Sequence, residues 1–233
     1  MKSIDSDESL TGKVVEAVHG AIISGELAPG GLYSVNTLAE QLAVSRTPVR
    51  EAMIQLAAKG MVRFEKNRGI RILQMSIQDV EEVFTLRLLL EVPATARSTQ
   101  QFTDRERRSL RVAYDDMTEA AAGGDEPKLM TFDRRFHAIL LDGCGNTRLS
   151  QIVDGLRDMV LLRGLTTTPR RSLQAIVDEH EPILLRVESG DAAGAAQAMR
   201  NHLLRTATML IALESGSAEA VAETLEWTRF NES

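Results

Sequence analysis

The clearest pattern of apolar and polar positions lies between residues 38 and 62. Residues 38–42 place leucine and alanine on one side of a short helix, and residues 43–44 form a turn. Ser45 is suited to the N-cap of a second helix, because its hydroxyl can accept a hydrogen bond from a free backbone N–H. Pro48 then falls in the first helical turn, where its missing N–H costs nothing. The pattern predicts two helices joined by a tight turn.

Two short alternating segments follow this pair of helices. Val62 and Phe64 alternate with polar residues, and so do Ile70 and Ile72, which is typical of two short strands. The residues between the strands, at 66–69, read KNRG. The sequence therefore predicts a β-hairpin with a basic tip directly after the second helix.

From residue 76 onwards the apolar spacing is helical. Ser76 and Thr103 are candidate N-caps, and Glu106 completes a capping box with Thr103. Pro182 is expected to bend the fifth helix or to shorten its first part. The six predicted helices cover residues 77–99, 104–123, 127–142, 147–164, 173–190 and 192–214.

These patterns divide the 233-residue chain into four segments. We expect a disordered lead-in (1–9), a winged helix-turn-helix domain (10–75), a helical domain (76–214) and a tail (215–233) with at most a short helix. The chain is 43% hydrophobic but only 4% aromatic, which favours packed helices over sheets. The expected fold class is mainly α, with a small β-hairpin wing in the first domain and an all-α antiparallel bundle in the second.

The charge distribution gives the first domain a candidate function. Residues 44–75 contain seven Lys or Arg and two Asp or Glu, although the whole chain has a net charge of −6. Arg46 and Arg50 lie four residues apart and project from one face near the start of the second helix. A helix-turn-helix protein offers such a helix start to the major groove of DNA, where Arg can pair with guanine O6 and N7. The alternative is a surface helix pair with solvated arginines.

The second domain is a poor candidate for binding nucleic acid. Residues 76–233 contain eighteen basic and twenty-five acidic residues, a net charge of −7. Four polar side chains nevertheless fall on the apolar faces of its predicted helices: Asp133, His137, His180 and His202. A buried carboxylate needs compensation, which a divalent metal ion coordinated by the carboxylate and three imidazoles would provide.

Two readings of these four residues stay open at this point. In the first, they bind a metal ion, with Zn²⁺ as the first choice and Mn, Fe or Ni as alternatives. In the second, the histidines are ordinary core residues, and Asp133 pairs with an arginine such as Arg134 or Arg200.

Compartment and membrane association are indicated by composition. The single cysteine, Cys144, excludes an internal disulfide and suits a reducing cytoplasm. No apolar run approaches the roughly 20 residues that span a bilayer. The first ten residues are polar and acidic, unlike a secretory signal. We expect a cytoplasmic protein with no membrane partner.

The first domain resembles the winged-helix domain of GntR-type bacterial transcription regulators. The matching segments are residues 23–31 (ISGELAPGG), 38–53 (LAEQLAVSRTPVREAM) and 60–62 (GMV), together with Gly69. Some relatives have a DNA-contacting Arg where this chain has Asn36. From the motif and the basic hairpin together, the expected DNA-binding residues are Ser45, Arg46, Thr47, Arg50, Lys66, Arg68 and Gly69.

The second domain resembles the helical effector-binding and dimerisation domain of the FadR branch of the same family. The matching segments are LRLLLE at 86–91, DRRFH at 133–137, EH at 179–180, GD at 190–191 and NHL at 201–203. The resemblance implies that Asp133, His137, His180 and His202 bind a metal ion at the floor of a pocket. It also implies that Arg87 binds the carboxylate of a small organic acid, although a simple pair with Glu91 is an equal alternative. Arg134 is a second candidate for effector binding.

The expected function is a ligand-responsive repressor that binds a palindromic DNA operator as a homodimer. The first and fourth helices of the second domain are candidates for the dimer interface, because they are apolar over more than one stripe. The alternative function is a metal-dependent, hydrolase-like enzyme that uses the His/Asp site. It is disfavoured because no general base or nucleophile motif accompanies the ligands and because it leaves the DNA-binding domain without a role.

Overall fold

The structure is a computed structural model that describes residues 9–73, 76–161 and 171–215. The chain divides into two compact units. The first comprises Met1–Met75 with Arg157–Leu165, and the second comprises Ser76–Leu156 with Thr166–Ser233. The lead-in before residue 9, the tail after residue 215 and the predicted end of the fourth helix lie outside the described residues.

Residues 9–73, the described N-terminal part of the first unit, form three helices and a small antiparallel sheet. The elements in chain order are α1 (Leu10–Ile23), β1 (Leu32–Tyr33), α2 (Val35–Gln41), α3 (Arg46–Ala58), β2 (Val62–Glu65) and β3 (Gly69–Ile72). The strand order is β1-β3-β2. Apolar side chains from all three helices and from the hairpin form one core, which includes Val18, Leu38, Val49, Met53, Met61 and Ile70. The predicted helix-turn-helix and hairpin are confirmed.

Details of the first unit differ from the sequence prediction. Ser45 occupies the N-cap of α3, but its hydroxyl makes no capping hydrogen bond, whereas Ser34 does cap α2. Phe64, one of the two alternating apolar residues of the first hairpin strand, is 44% exposed, whereas Val62 is buried. Strand β1 was not predicted, because two residues are too short to show an alternating pattern.

Within its described residues, the second unit consists of helices joined by turns and short loops. Its helices are α4 (Ile77–Gln101), α5 (Asp104–Ala122), α6 (Glu126–Asp142), most of α7 (Thr147–Leu161), α8 (Leu173–Asp178), α9 (Glu181–Ser189) and α10 (Ala192–Ser215). Helix α4 packs along α10, α5 packs along α6, and α9 lies against α10. The buried side chains include Phe84, Leu110, Met117, Leu129, Phe136, Ile183 and Leu203.

Local signals explain where these helices begin. Capping boxes start α4 and α5, since Ser76 pairs with Asp79 and Thr103 pairs with Glu106 in both directions. The predicted fifth helix is broken into α8 and α9, and Pro182 lies in the first turn of α9, where it loses no hydrogen bond. His180 is therefore the N-cap of α9 and does not lie on the stripe of one continuous helix. Among the described helices, none is both long enough and apolar enough to cross a bilayer.

Candidate metal centre and DNA-binding surface

Three imidazole rings meet inside the second unit. His137 comes from α6, His180 from the start of α9 and His202 from α10. Their exposed fractions are 1%, 0% and 7%, respectively. One candidate ligand atom of each residue lies within 4.8 Å of those of the other two. The structure thus brings together all three histidines that the sequence placed on apolar faces.

Hydrogen bonds determine how two of these rings are oriented. His137 Nδ1 lies 2.8 Å from Glu91 Oε2, and His180 Nδ1 lies 2.8 Å from the backbone oxygen of Ile176. A carboxylate and a carbonyl oxygen only accept hydrogen bonds, so each Nδ1 carries a proton and donates it. On the other side of each ring, the Nε2 atoms of His137 and His180 lie 3.3 Å apart.

Asp133 joins the cluster through His180. It lies one helical turn before His137 on α6 and is 5% exposed. Its Oδ1 is 3.0 Å from His180 Nε2. The ligand atoms that all lie near one another are those of the three histidines. The Asp133 carboxylate contacts this group through His180.

The chemistry of these atoms fits a divalent metal ion. Two imidazole nitrogens and the carboxylate oxygen of Asp133 converge. When both rings are neutral and carry their proton on Nδ1, the two Nε2 lone pairs face each other, and a cation between them would relieve their repulsion. At metal–nitrogen distances of about 2.0–2.1 Å and a tetrahedral angle, two nitrogens lie about 3.3 Å apart. This matches the 3.3 Å between His137 Nε2 and His180 Nε2. Imidazole and carboxylate ligands suit Zn, Mn, Fe or Ni.

Burial favours the neutral form of His202, which is the form that can bind a metal ion. Burial lowers the pKa of His202 well below its usual value, and neighbouring His180 and His137 lower it further. Its Nδ1 is buried and makes no hydrogen bond within the described part of the chain. The carboxylate of Glu179 is 3.7 Å from this nitrogen, beyond hydrogen-bond distance.

The two arginines proposed for effector binding have different surroundings. Arg87 is buried, and its Nε donates to Glu91 Oε1 at 2.7 Å. Arg134 is about one-third exposed and forms an ion pair with Asp154 at 3.4 Å. The ion pair between Arg87 and Glu91, which was the alternative interpretation of Arg87, is therefore present. It lies in the protein interior and not on a solvated helix face.

Sequence reasoning missed two features of this region. The first is the contact of Glu91 with His137. Glu91 lies four residues after Arg87, so the sequence suggested only an ordinary ion pair between these two residues of one helix. The second is a pocket of about 400 Å³ between the α8–α9 region and α10, with His202 in its wall. Glu179, Arg186, Asn201 and Arg205 also line this pocket, so polar side chains lead from the surface to the cluster.

The first unit presents a separate surface with the predicted DNA-binding residues. A groove runs between α3, the start of α2 and the hairpin, and it is lined by Asn36, Arg46, Thr47, Arg50, Arg68 and Gly69, among others. The two remaining predicted residues, Ser45 and Lys66, are exposed at the start of α3 and at the tip of the hairpin. The arginines that the sequence placed on one helix face thus share a groove with the wing.

Two residues shape the hairpin itself. Glu65 forms ion pairs with Arg63, Arg68 and Arg71, and the hydrogen bond from Arg71 lowers the pKa of Glu65. Gly69 has a φ of +128°, and a Cβ added there would collide with the carbonyl oxygen of Tyr33. Because β1 pairs with β3, Tyr33 lies so close to position 69 that only glycine fits there, whether or not the hairpin binds DNA.

Two family models match the chain. Residues 82–205 match the FCD domain, and residues 10–72 match the bacterial regulatory proteins of the gntR family. The HTH-type transcriptional regulator LutR of Bacillus subtilis is 29% identical over 211 residues, covering 81% of this chain and 95% of LutR. The HTH-type transcriptional repressor GlaR of Escherichia coli is 28% identical over 193 residues, covering 78% of this chain and 87% of GlaR.

A solved structure with the same fold is that of E. coli McbR/YncC. It matches with a TM-score of 0.68 at 20% sequence identity and covers 88% of this chain and 98% of its own. At this identity the likeness establishes the fold.

Proposed function

Since the chain belongs to the GntR family of bacterial transcription regulators and carries an FCD domain, we propose that it is a cytoplasmic repressor that responds to a small organic acid through a metal centre. Its relatives are transcription regulators, so the hydrolase-like alternative is dropped. The proposal has three parts: operator recognition by the first unit, effector sensing by the second, and dimerisation.

Operator recognition is assigned to the groove of the first unit. Arg46 and Arg50 line it from α3, and Arg68 lines it from the hairpin. An α-helix fits the major groove, where arginine discriminates guanine from other bases by about 1–3 kcal/mol. Ser45, Thr47 and Lys66 have side chains that can bind phosphates, which position the protein on the duplex.

Effector sensing is assigned to the histidine cluster of the second unit. The observation that carries this part is the 3.3 Å approach of two buried imidazole nitrogens beside the carboxylate of Asp133. Asp133, His137, His180 and His202 would hold the metal ion. Once bound, a divalent ion would supply a positive centre that attracts the carboxylate of an organic acid.

Arginine side chains would complete the binding of the organic acid. Arg87 can form paired hydrogen bonds with a carboxylate, and in this structure its Nε donates one hydrogen bond to Glu91 Oε1. Arg134 is the second candidate from the sequence. The pocket beside His202 offers an approach from solvent, with Arg186 and Arg205 in its wall.

Dimerisation is assigned to α4 and α7. Leu86 and Leu89 on α4 are 46% and 55% exposed, and Ile152 on α7 is 55% exposed. Paired DNA-binding domains would read both halves of a palindromic operator. An effector can then control DNA binding only if it binds the DNA-competent and DNA-incompetent arrangements with different affinities.

Metal content tests the sensor part directly. The full chain, purified without added chelator, should contain about one divalent ion per chain, since structural and catalytic Zn²⁺ sites of this donor type hold one ion. Elemental analysis measures it. A wild-type protein that neither retains nor takes up Zn²⁺, Mn²⁺, Fe²⁺ or Ni²⁺ would refute the sensor mechanism while leaving the DNA-binding assignment intact.

A further inference from the structure

One buried carboxylate connects a candidate effector-binding residue with a candidate metal ligand. Glu91 on α4 is 0% exposed. Its Oε1 accepts a hydrogen bond from Arg87 Nε at 2.7 Å, and its Oε2 accepts one from His137 Nδ1 at 2.8 Å. The two oxygens of one side chain therefore bind two different partners.

The bond to His137 prepares that ring for a cation. Because Oε2 holds a proton of His137 on Nδ1, the neutral ring has its lone pair on Nε2, the nitrogen that faces His180. A carboxylate hydrogen-bonded to a metal-binding imidazole fixes the tautomer, orients the ring and makes it a more basic ligand. Glu91 meets this description although it belongs to a different helix from all three histidines.

The bond to Arg87 determines how Glu91 is oriented. A glutamate side chain has several rotatable bonds, and the hydrogen bond from Arg87 Nε holds one of its oxygens in place. The other oxygen then faces His137. A carboxylate ligand that takes the Nε–H of Arg87 displaces Glu91 Oε1 from it, and the freed Glu91 side chain then supports His137 less firmly.

We infer that Glu91 is a positioning residue that links Arg87 to His137, so that metal affinity depends on Glu91 and on what Arg87 binds. The inference rests on the proposed function, since it requires His137 to be a metal ligand. By linkage, a change in metal affinity caused by a ligand on Arg87 implies an equal change in ligand affinity caused by the metal ion.

The test uses Zn²⁺ as the probe and the full chain stripped of metal. Affinity is measured by competition with a chromogenic chelator, without DNA or effector. Glu91→Gln should weaken Zn²⁺ binding by about 10- to 100-fold, the usual effect of removing such a hydrogen-bonded partner. The matched control is Glu188→Gln, which removes the carboxylate paired with Arg111 elsewhere in the second unit and should change affinity by less than about twofold.

Arg87→Lys tests the link between the two ends. This variant keeps the positive charge but removes the planar guanidinium donor. It should weaken Zn²⁺ binding by about fivefold or more in the wild-type background. In the Glu91→Gln background it should have less than about a twofold further effect, because Arg87 acts through Glu91.

The outcomes separate this inference from the proposed function. If wild-type protein binds no Zn²⁺ or other divalent ion, the metal centre itself is wrong. If wild-type protein binds Zn²⁺ and Glu91→Gln binds it equally well, or if Arg87→Lys has the same effect in both backgrounds, the link is wrong. Should Glu91→Gln fail to fold, ¹⁵N spectra of the metal-free wild type decide, since protonation of His137 at Nε2 rather than Nδ1 would overturn the inference.

Discussion

His137 Nε2 and His180 Nε2 lie 3.3 Å apart, although the two residues are separated by 43 positions in the chain. Each ring is held from its other nitrogen, by Glu91 and by the backbone of Ile176. Two lone pairs at this distance require a proton or a cation between them.

His180→Ala should abolish high-affinity metal binding and effector response. The variant loses the ring that contacts both Asp133 and His137. Metal analysis and the dependence of thermal unfolding on added Zn²⁺ measure the loss, because a ligand that binds only the native state raises stability with its concentration. DNA binding without effector should survive. The control is His19→Ala in the first unit, and equal metal retention by both variants would contradict the assignment.

Arg50→Ala should remove sequence discrimination from operator binding. Arg50 lines the groove from α3, and the loss of a paired contact with guanine costs about 1–3 kcal/mol. Mobility-shift titrations with operator and scrambled DNA measure the ratio of specific to non-specific affinity. Arg105→Ala, which removes an exposed arginine from α5, is the matched control. An unchanged ratio in Arg50→Ala would mean that α3 does not read the bases.

Asn36→Arg should tighten DNA binding and make it more sensitive to salt. Asn36 lines the same groove, so an arginine there would place a further positive charge beside the DNA. One further phosphate contact steepens the plot of log affinity against log salt by about 0.9. Gln100→Arg on α4 adds the same charge outside the first unit and serves as the control. Equal slopes for Asn36→Arg and wild type would place position 36 away from the DNA.

Gly69→Ala should destabilise the first unit even without DNA. The φ of +128° and the collision with the Tyr33 carbonyl oxygen together cost at least about 1–3 kcal/mol. Hydrogen exchange of the hairpin amides detects the loss. Gly20→Ala is the control, because Gly20 lies within α1 with open space around it, and the change should be neutral or stabilising. Unaltered exchange in Gly69→Ala would indicate that glycine is needed there only for DNA contact.

Leu89→Glu should dissociate the proposed dimer. Leu89 is 55% exposed on α4, and a carboxylate buried in an apolar interface without a partner is strongly unfavourable. Sedimentation equilibrium measures the monomer–dimer balance. Leu185→Glu, at a residue 51% exposed on α9, is the matched control and should leave association unchanged. If only Leu185→Glu dissociates the dimer, the interface lies on α9 instead of α4.

Local sequence signals determined most of the secondary structure. The capping pairs at Ser76 and Thr103 begin α4 and α5 where predicted, because caps act within one turn of the chain. Two elements were predicted incorrectly because they depend on contacts between residues that are distant in the chain. Strand β1 is defined by its pairing with β3, a distant segment of the chain. The predicted fifth helix ends before His180, so His180 is the N-cap of α9 and does not belong to a helical stripe.

The sequence by itself also placed Asp133, His137 and His202 on inward faces, because periodicity within a helix shows which side chains face inward. His180 is buried too, although it is the N-cap of α9 and not part of a helical stripe. Only the tertiary structure decided which inward side chains meet. Glu91 looked like the partner of Arg87 alone until the packing of α4 against α6 brought His137 to its second oxygen. Contacts between distant helices depend on how whole helices pack, and the spacing of residues within one helix does not contain that information.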